Sequence, residues 1–445
     1  MIVTLNTTFG TGYKDRMSQV VQFTSDLGTE DHAIDLWPEH RYQRFEGFGG
    51  AVTDAAGWVY NQMTPAQKKA VMEAYFAPDQ MNYQMIRVPI DSCDFSLDQY
   101  EAAVLDEAGN LKSLDFSRVE QRILPMLRDA EAAAGRKIPL MLAPWSPPAA
   151  WKTNADRAHG GSLLPERKGD WAEYLCRYIR AYQDRGFRVK GLSVQNEPHA
   201  VQTWDSCLYT AREMKDFLKN FLYPALVRHG LTDVELYVWD HNKERAYEYL
   251  RGCVDEDSDP MITGLAMHWY SGDHFETLDL CARHFPGKKL IISESCIEFN
   301  KFDRGDALAA AASFGHEIIG DLNHGLSFFG DWNLLLDQHG GPNYVGNYCL
   351  APFLYDTDRG ELEPQLLRLY FAHFSHFLTP GSVRIAQSTF SPLVETTSFL
   401  RPDGTIAVVL LCRSDKPEQV TFRLEYQEAT VVLYPNSIST AIISG

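Results

Sequence analysis

Two glutamates stand out by where they fall in the chain. Glu197 closes an apolar run as Gln195-Asn196-Glu197-Pro198, and Glu294 closes another as Ile291-Ile292-Ser293-Glu294-Ser295. Both runs read as buried β-strands, so each carboxylate falls where a barrel strand opens into its carboxyl end. Glycosidic cleavage uses one carboxylic acid to protonate the departing oxygen and one carboxylate to attack the anomeric carbon. The two stand about 5–5.5 Å apart where configuration is retained. Position matters because 59 acidic residues offer many accidental pairs. Glu197 has Asn196 beside it to bind a sugar hydroxyl and Pro198 to fix the departing backbone, and it reads as the acid/base. Glu294, held by a rigid apolar run, reads as the nucleophile. Glu298 lies four residues further on, past the strand, and reads as structural or solvent-facing.

The elements that must carry these residues alternate. Apolar runs of strand length occur at 45–50, 85–90, 139–145, 189–197, 234–240, 262–270, 288–295 and 325–333. Helical patterns lie between them at 64–75, 115–134, 170–185, 210–228, 243–254, 274–285 and 306–322, with one more at 365–378. Eight strands alternating with helices predict a (β/α)8 barrel, whose active face is the carboxyl end of the strands. Thr64-Pro65-Ala66-Gln67 is a helix start with a capping threonine, proline in the first turn and a glutamine able to reach back. The stripe Leu366, Leu369, Tyr370, Phe374 and Phe377 at helical spacing reads as core packing. Beyond Pro380 the period becomes that of strands, at 382–385, 405–410, 420–424 and 430–433, with Asp403-Gly404 as a hairpin turn. Strand patterns at 2–5 and 20–23 are too few to fill a sandwich alone. The expected organisation is therefore residues 1–40 and 380–445 as two parts of one β-sandwich, flanking a catalytic barrel over 41–379.

Composition narrows the partners. A chain of 445 residues can bury a deep core, and no stretch approaches the roughly 20 apolar residues of a membrane span. A formal net charge of −18 without a basic patch disfavours nucleic acid and anionic surfaces while leaving neutral sugars compatible. The eight scattered cysteines suggest neither a disulfide scaffold nor a zinc site, and read as buried thiols. No metal and no cofactor is expected. Met1-Ile-Val-Thr-Leu-Asn is not a secretory signal, which favours a cytoplasmic location unless a leader was removed.

Trp145, Trp269, Tyr270 and Trp332 fall at strand ends, where aromatic faces can stack on the apolar C–H faces of sugar rings. His268, on an apolar strand, has a supporting role. Gly47-Phe48-Gly49-Gly50 lacks the third glycine and the basic residue of a phosphate loop; its small residues would let the chain turn so that Asp54 reaches the sugar.

These motifs, in this order, resemble those of glycoside hydrolase family 30, and most closely its glucosylceramidase-like (acid β-glucosidase) branch. The resemblance runs through Gly47 to Ala56, Arg87-Val88-Pro89, Ser92-Cys93-Asp94-Phe95, Pro144-Trp145-Ser146-Pro147-Pro148 and Lys152-Thr153-Asn154. It continues through Asn196-Glu197-Pro198, His268-Trp269-Tyr270, Ser293-Glu294-Ser295-Cys296, Asp331-Trp332-Asn333 and Gly340 to Asn347. It implies a barrel with a β-sandwich from both chain ends and a retaining double displacement without metal. By motif it also implies Glu197 as acid/base, Glu294 as nucleophile, and Asp54, Trp145, Asn196, Trp332 and Asn347 around the terminal sugar. Tyr270 would steady the nucleophile, with Arg87 beside it. The loop His199 to Trp204 departs from lipid-processing members, which points to small β-glucosides or β-linked oligosaccharides. The expected function is exo-acting β-glucosidase, with β-xylosidase and endo-β-1,6-glucanase as alternatives on the same scaffold. A non-catalytic sugar-binding protein and a metal-dependent barrel enzyme are alternatives of other classes.

Overall fold

In the computed structural model, which describes residues 1–10, 16–299 and 306–445, the eight apolar runs close into one parallel barrel. Its strands are Gly47–Ala51, Met85–Ile90, Leu140–Pro144, Val189–Ser193, Glu235–Asn242, Gly264–His268, Lys289–Glu294 and Phe328–Asn333. The eighth pairs with the first through Phe328↔Gly47 and Phe329↔Phe48, which leaves no open edge. Met85, Met141, Tyr237, Ala266, Ile291 and Phe328 form an apolar cluster drawn from six of these strands. Further along the same strands the inward positions turn polar: Arg87, Asp240, His268 and Ser293 are all buried. An apolar interior makes the cylinder stable, and its polar upper layer makes it reactive.

The glycines of the first strand serve packing. A Cβ on Gly49 would come within 2.2 Å of the Met85 carbonyl oxygen, and one on Gly50 within 2.4 Å of Leu334. They let neighbouring chains approach the strand and do not form the expected turn towards Asp54.

The helices largely follow the sequence pattern, with three differences. Residues 115–134 hold two helices, Ser117–Arg122 and Leu124–Ala134, with Pro125 starting the second. Pro125 has no N–H to continue the first ladder. The helix predicted over 210–228 contains a wide π turn at Leu218–Leu222, just before Pro224, which again withholds a hydrogen bond. An additional helix, Asp54–Gln62, follows the first strand. Its cap is Thr53, whose hydroxyl accepts the N–H of Ala56, and it is too short for periodicity to reveal. The predicted capping box at Thr64 and Gln67 is present.

Both chain ends share one ten-stranded sheet. Ile2–Phe9 pairs antiparallel with Ser437–Ser444, from Ile2↔Ser444 to Phe9↔Ser437. Ala33–Arg44 pairs with Val383–Gln387 and with Glu418–Leu424. Because that twelve-residue strand runs to Arg44, sheet pairing extends past the expected boundary at residue 40. Ala33–Arg44, Val394–Leu400 and Ser437–Ser444 are strands the sequence reading left out. The Asp403-Gly404 turn joins Val394–Leu400 to Ile406–Cys412. Among the described residues no helix is long and apolar enough to cross a membrane.

Candidate active site

Glu294 is the last residue of the seventh barrel strand. Glu197 lies four residues past the end of the fourth, in a turn with φ of 45°, its N–H given to the Asp240 carbonyl at 2.9 Å. Trp239 and Asp240 also have positive φ, at 76° and 53°, where the fifth strand shifts register. Left-handed backbone at three side-chain-bearing residues is costly and gathers where a site must be aimed. Both glutamates line one cleft of about 170 Å³.

Arg87 organises the floor. Its Nη1 donates to Glu294 Oε2 at 2.6 Å, and its Nη2 donates to Asp240 Oδ2 at 2.8 Å and Asn196 Oδ1 at 2.7 Å. The guanidinium also faces the rings of Trp145 and Trp332 at 4.8 and 5.2 Å. Those two indoles stack with centroids 5.5 Å apart, forming an aromatic wall. Tyr270 Oη donates to Glu294 Oε1 at 2.9 Å, so each Glu294 oxygen has its own donor. Burial, then the charges and contacts of neighbouring groups, raises the Tyr270 hydroxyl well above the ordinary phenol range and keeps it protonated.

His268 sits between the acids. Its Nδ1 is 3.2 Å from Glu197 Oε1, and its Nε2 is 3.2 Å from Asp240 Oδ1 and 3.8 Å from Glu294 Oε2. Burial opposes protonation of this ring. The Glu294 charge and the bonds to Asp240 and Glu197 outweigh it and push the imidazole up to about 10. Burial likewise works against the Glu197 anion, but the imidazole of His241, 3.6 Å away, and the hydrogen bond with His268 hold its carboxyl below the usual range. Asp240 is held low as well, by the Arg87 charge and the His268 bond acting against burial. Among Glu197, Asp240 and His268 the proton therefore resides on the imidazole.

Asp94 is the opposite case. Burial first, then the negative charges of Glu294 and Glu197, push its carboxyl well above the usual range, which favours the neutral acid in the cleft. Asn347 Nδ2 donates to it at 3.0 Å. A neutral carboxyl and an amide side by side can both donate to and accept from sugar hydroxyls.

Of the residues singled out in the sequence, Glu197, Glu294, Trp145, Asn196, Tyr270, Trp332 and Asn347 line the cleft together, with Arg87 and His268 bonded to them from beneath. Two fall elsewhere. Asp54 is in the first turn of its helix, where Arg118 Nε and Nη2 take its two oxygens at 2.8 Å each and Leu97 N takes one at 3.1 Å. The cleft aspartate is instead Asp94. It lies four residues beyond the second strand, so the strand-end criterion that found Glu197 applies to it equally. Trp269 stacks on Phe314 at 4.4 Å and donates Nε1–H to the Cys296 carbonyl, serving as packing behind the wall. Glu298, expected beyond the site, lines the cleft after all, as do His241, Gln202 and Trp204. Gln202 and Trp204 come from a loop, Glu298 from a two-residue strand and His241 from beyond the register shift of the fifth strand, and no periodicity announces any of them.

The donor atoms of Glu197, His241 and His268 lie within 4.8 Å of one another, the spacing of a metal site. Within this cluster His268 bonds to Glu197 at 3.2 Å and His241 stands 3.6 Å from the same oxygen, an imidazole–carboxylate arrangement.

A closed eight-stranded barrel with paired carboxylates and stacked indoles at its carboxyl mouth defines a glycoside hydrolase of the TIM-barrel class. The glycosyl hydrolase family 30 TIM-barrel domain matches residues 45–378, and that family's β-sandwich domain matches residues 381–441. The chain belongs to glycosyl hydrolase family 30. It is 31% identical to mouse (Mus musculus) lysosomal acid glucosylceramidase over 408 residues, 87% of this chain and 78% of the mouse protein. The crystal structure of SrfJ from Salmonella typhimurium superposes with a TM-score of 0.94 at 35% identity, over all of both chains. The endo-β1,6-glucanase BT3312 superposes with a TM-score of 0.88 at 26% identity, also over all of both.

Proposed function

We propose that this glycosidase is an exo-acting, retaining enzyme that removes terminal β-D-glucosyl residues. The observation that carries the reading is that Glu197 and Glu294 border one small cleft under different control, one set against imidazoles and the other against a guanidinium and a phenol. In the first step Glu294 attacks the anomeric carbon as a carboxylate, with Arg87 as its counter-charge. Glu197 passes to the leaving oxygen a proton drawn from His268 Nδ1 at 3.2 Å. The ester at Glu294 has lost the charge that most favours His268 protonation, so the imidazole that gave up its proton stays neutral and Glu197 stays ionised, free to take a proton from the water that follows. Trp145 and Trp332 offer a face to the ring, and Asp94, Asn347 and Asn196 meet its hydroxyls.

The small cleft supports exo action. At about 170 Å³ it is below the roughly 300–1,000 Å³ of sites that hold larger ligands, and suits one ring better than a chain of them. A second reading, endo-β-1,6-glucanase, draws on the full-length likeness to a protein of that name at 26% identity. β-Xylosidase is a further reading, in which the pocket would have to close where glucose carries its hydroxymethyl group.

The test is a panel of aryl β-glucoside, aryl β-xyloside and a β-1,6-linked glucan, with the first-formed anomer followed by NMR. Fast release of β-glucose from the aryl glucoside is expected. Preferential attack within the glucan would favour the second reading, and first-formed α-glucose would overturn the double displacement.

A further inference from the structure

Two cysteines far apart in sequence meet in the cleft wall. Cys296 stands two residues after Glu294, and Cys349 two residues after Asn347. The short strands Ile297–Glu298 and Cys349–Leu350 pair antiparallel, with Glu298↔Cys349 and Ile297↔Leu350 in register. This brings the Cys296 and Cys349 sulfurs to 2.9 Å. Both thiols are buried and free of disulfides, Cys296 donating to Cys349, and both line the same cleft as the two glutamates. Cys296 Sγ is also 3.4 Å from Tyr270 Oη, the hydroxyl that donates to Glu294.

We propose that Cys296 and Cys349 form an oxidant-modifiable thiol pair, converted by a small peroxide entering through the cleft into a disulfide that disables the site. One sulfur attacks a peroxide oxygen, the O–O bond breaks, and water leaves behind a sulfenic acid. The second sulfur then attacks the sulfenic sulfur, and its proton departs with the hydroxyl as a second water. Two thiols are oxidised and one hydrogen peroxide is reduced to two waters. The pair is pre-positioned, because the sulfurs need close by only about 1 Å to reach a disulfide bond length of roughly 2.05 Å. Burial raises both thiols above their ordinary range, which slows the first attack on peroxide as it slows alkylation, and proximity is what carries the first oxidised sulfur on to the paired product.

The consequence for turnover follows from Tyr270. Disulfide formation removes both S–H groups, shifts the Cys296 sulfur against the tyrosine hydroxyl, and ties the loop after Glu294 to the loop after Asn347. Misplacing a positioning group by about 1 Å can cost two orders of magnitude in rate. This consequence rests on the proposed role of Glu294, whereas the crosslink does not.

The test exposes the full chain to hydrogen peroxide, blocks remaining thiols, and maps peptides by mass while turnover of an aryl β-glucoside is followed. The expected result is a crosslinked peptide pair joining Cys296 to Cys349, with turnover falling about tenfold or more and returning with dithiothreitol. Cys349→Ala, compared with its own untreated activity, is expected to resist that reversible loss. Absence of the crosslink in the wild type overturns the pair itself. A crosslink formed at full activity overturns the effect on the site, and equal reversible loss in Cys349→Ala assigns the sensitivity elsewhere. If the wild type turns over no glycoside at all, the functional reading fails while the crosslink remains testable by mass.

Discussion

Arg87 and Glu294 meet at 2.6 Å in an ion pair whose side chains are only 3% and 8% exposed. The same guanidinium neutralises Asp240, whose side chain is fully buried. One cation thus offsets two carboxylates within the barrel, and removing it leaves both without that partner. Breaking a buried pair from one side costs about 3–5 kcal/mol, most of it the desolvated charge left behind. Arg87→Met should lower the urea midpoint accordingly, and Arg87→Lys should recover only part, since an ammonium cannot reach Glu294, Asp240 and Asn196 in a planar fork. Unchanged stability in Arg87→Met would contradict the pairing.

The two glutamates should fail differently. Glu294→Ala should abolish turnover of an aryl β-glucoside and regain part of it when azide is added as an external nucleophile. Glu197→Ala should slow poor leaving groups by about 10²–10⁴-fold while sparing good ones, because a good leaving group departs without a proton. Leaving-group plots for the wild type and Glu197→Ala measure this, and parallel plots would remove Glu197 from the acid/base role.

Asp94 and Asp54 separate sugar binding from packing. Asp94→Ala should raise KM and lower kcat with a small effect on thermal stability, since it removes a neutral carboxyl facing the cleft. Asp54→Ala should chiefly lower the melting temperature, because Arg118 loses its bidentate partner and a helix loses a first-turn carboxylate. Michaelis constants and melting curves of both variants decide between the two aspartates. A binding defect confined to Asp54→Ala would reverse the assignment.

Much of this was legible in the chain, for identifiable reasons. Strands buried on all sides read as continuous apolar runs, so the eight barrel strands and the residues at their ends could be placed, Glu294 among them. Glu197 is legible as the close of an apolar run, although it stands four residues past the strand proper, in a turn of positive φ. Asp54 was misplaced because following a strand does not reveal whether the next residues turn into the mouth or begin a helix. Thr53 as a cap was the signal for the second outcome. His241 and Glu298 come from a register shift and a two-residue strand, and the Cys296–Cys349 contact spans 53 residues, so no local pattern encodes them. The strand Ala33–Arg44 was missed because its latter half is polar and largely solvent-facing.

His268 sets a pH dependence of stability. An imidazole in the unfolded chain titrates near pH 6.5, whereas this one titrates near 10 when folded. The folded state holds the proton more tightly, so the stabilisation is fully present below about pH 6.5 and is lost as pH rises towards 10. His316, raised to about 9 by its bond to Glu395, adds a slope of the same sign. Urea midpoints of the wild type should therefore fall between pH 6.5 and 9.5, and those of His268→Gln should fall less, keeping the His316 part. Equal slopes would mean that His268 is neutral in the fold.

In the proposed double displacement Glu294 becomes covalently joined to the sugar. Incubation with an activated 2-deoxy-2-fluoro-β-glucoside, whose fluorine slows release of the intermediate, followed by peptide mapping, reads this directly. One fluoroglucosyl group per chain is expected, on the peptide containing Ile291 to Cys296 and at Glu294 within it. A label on any other carboxylate, or rapid turnover of a competent substrate with no label captured, would contradict it.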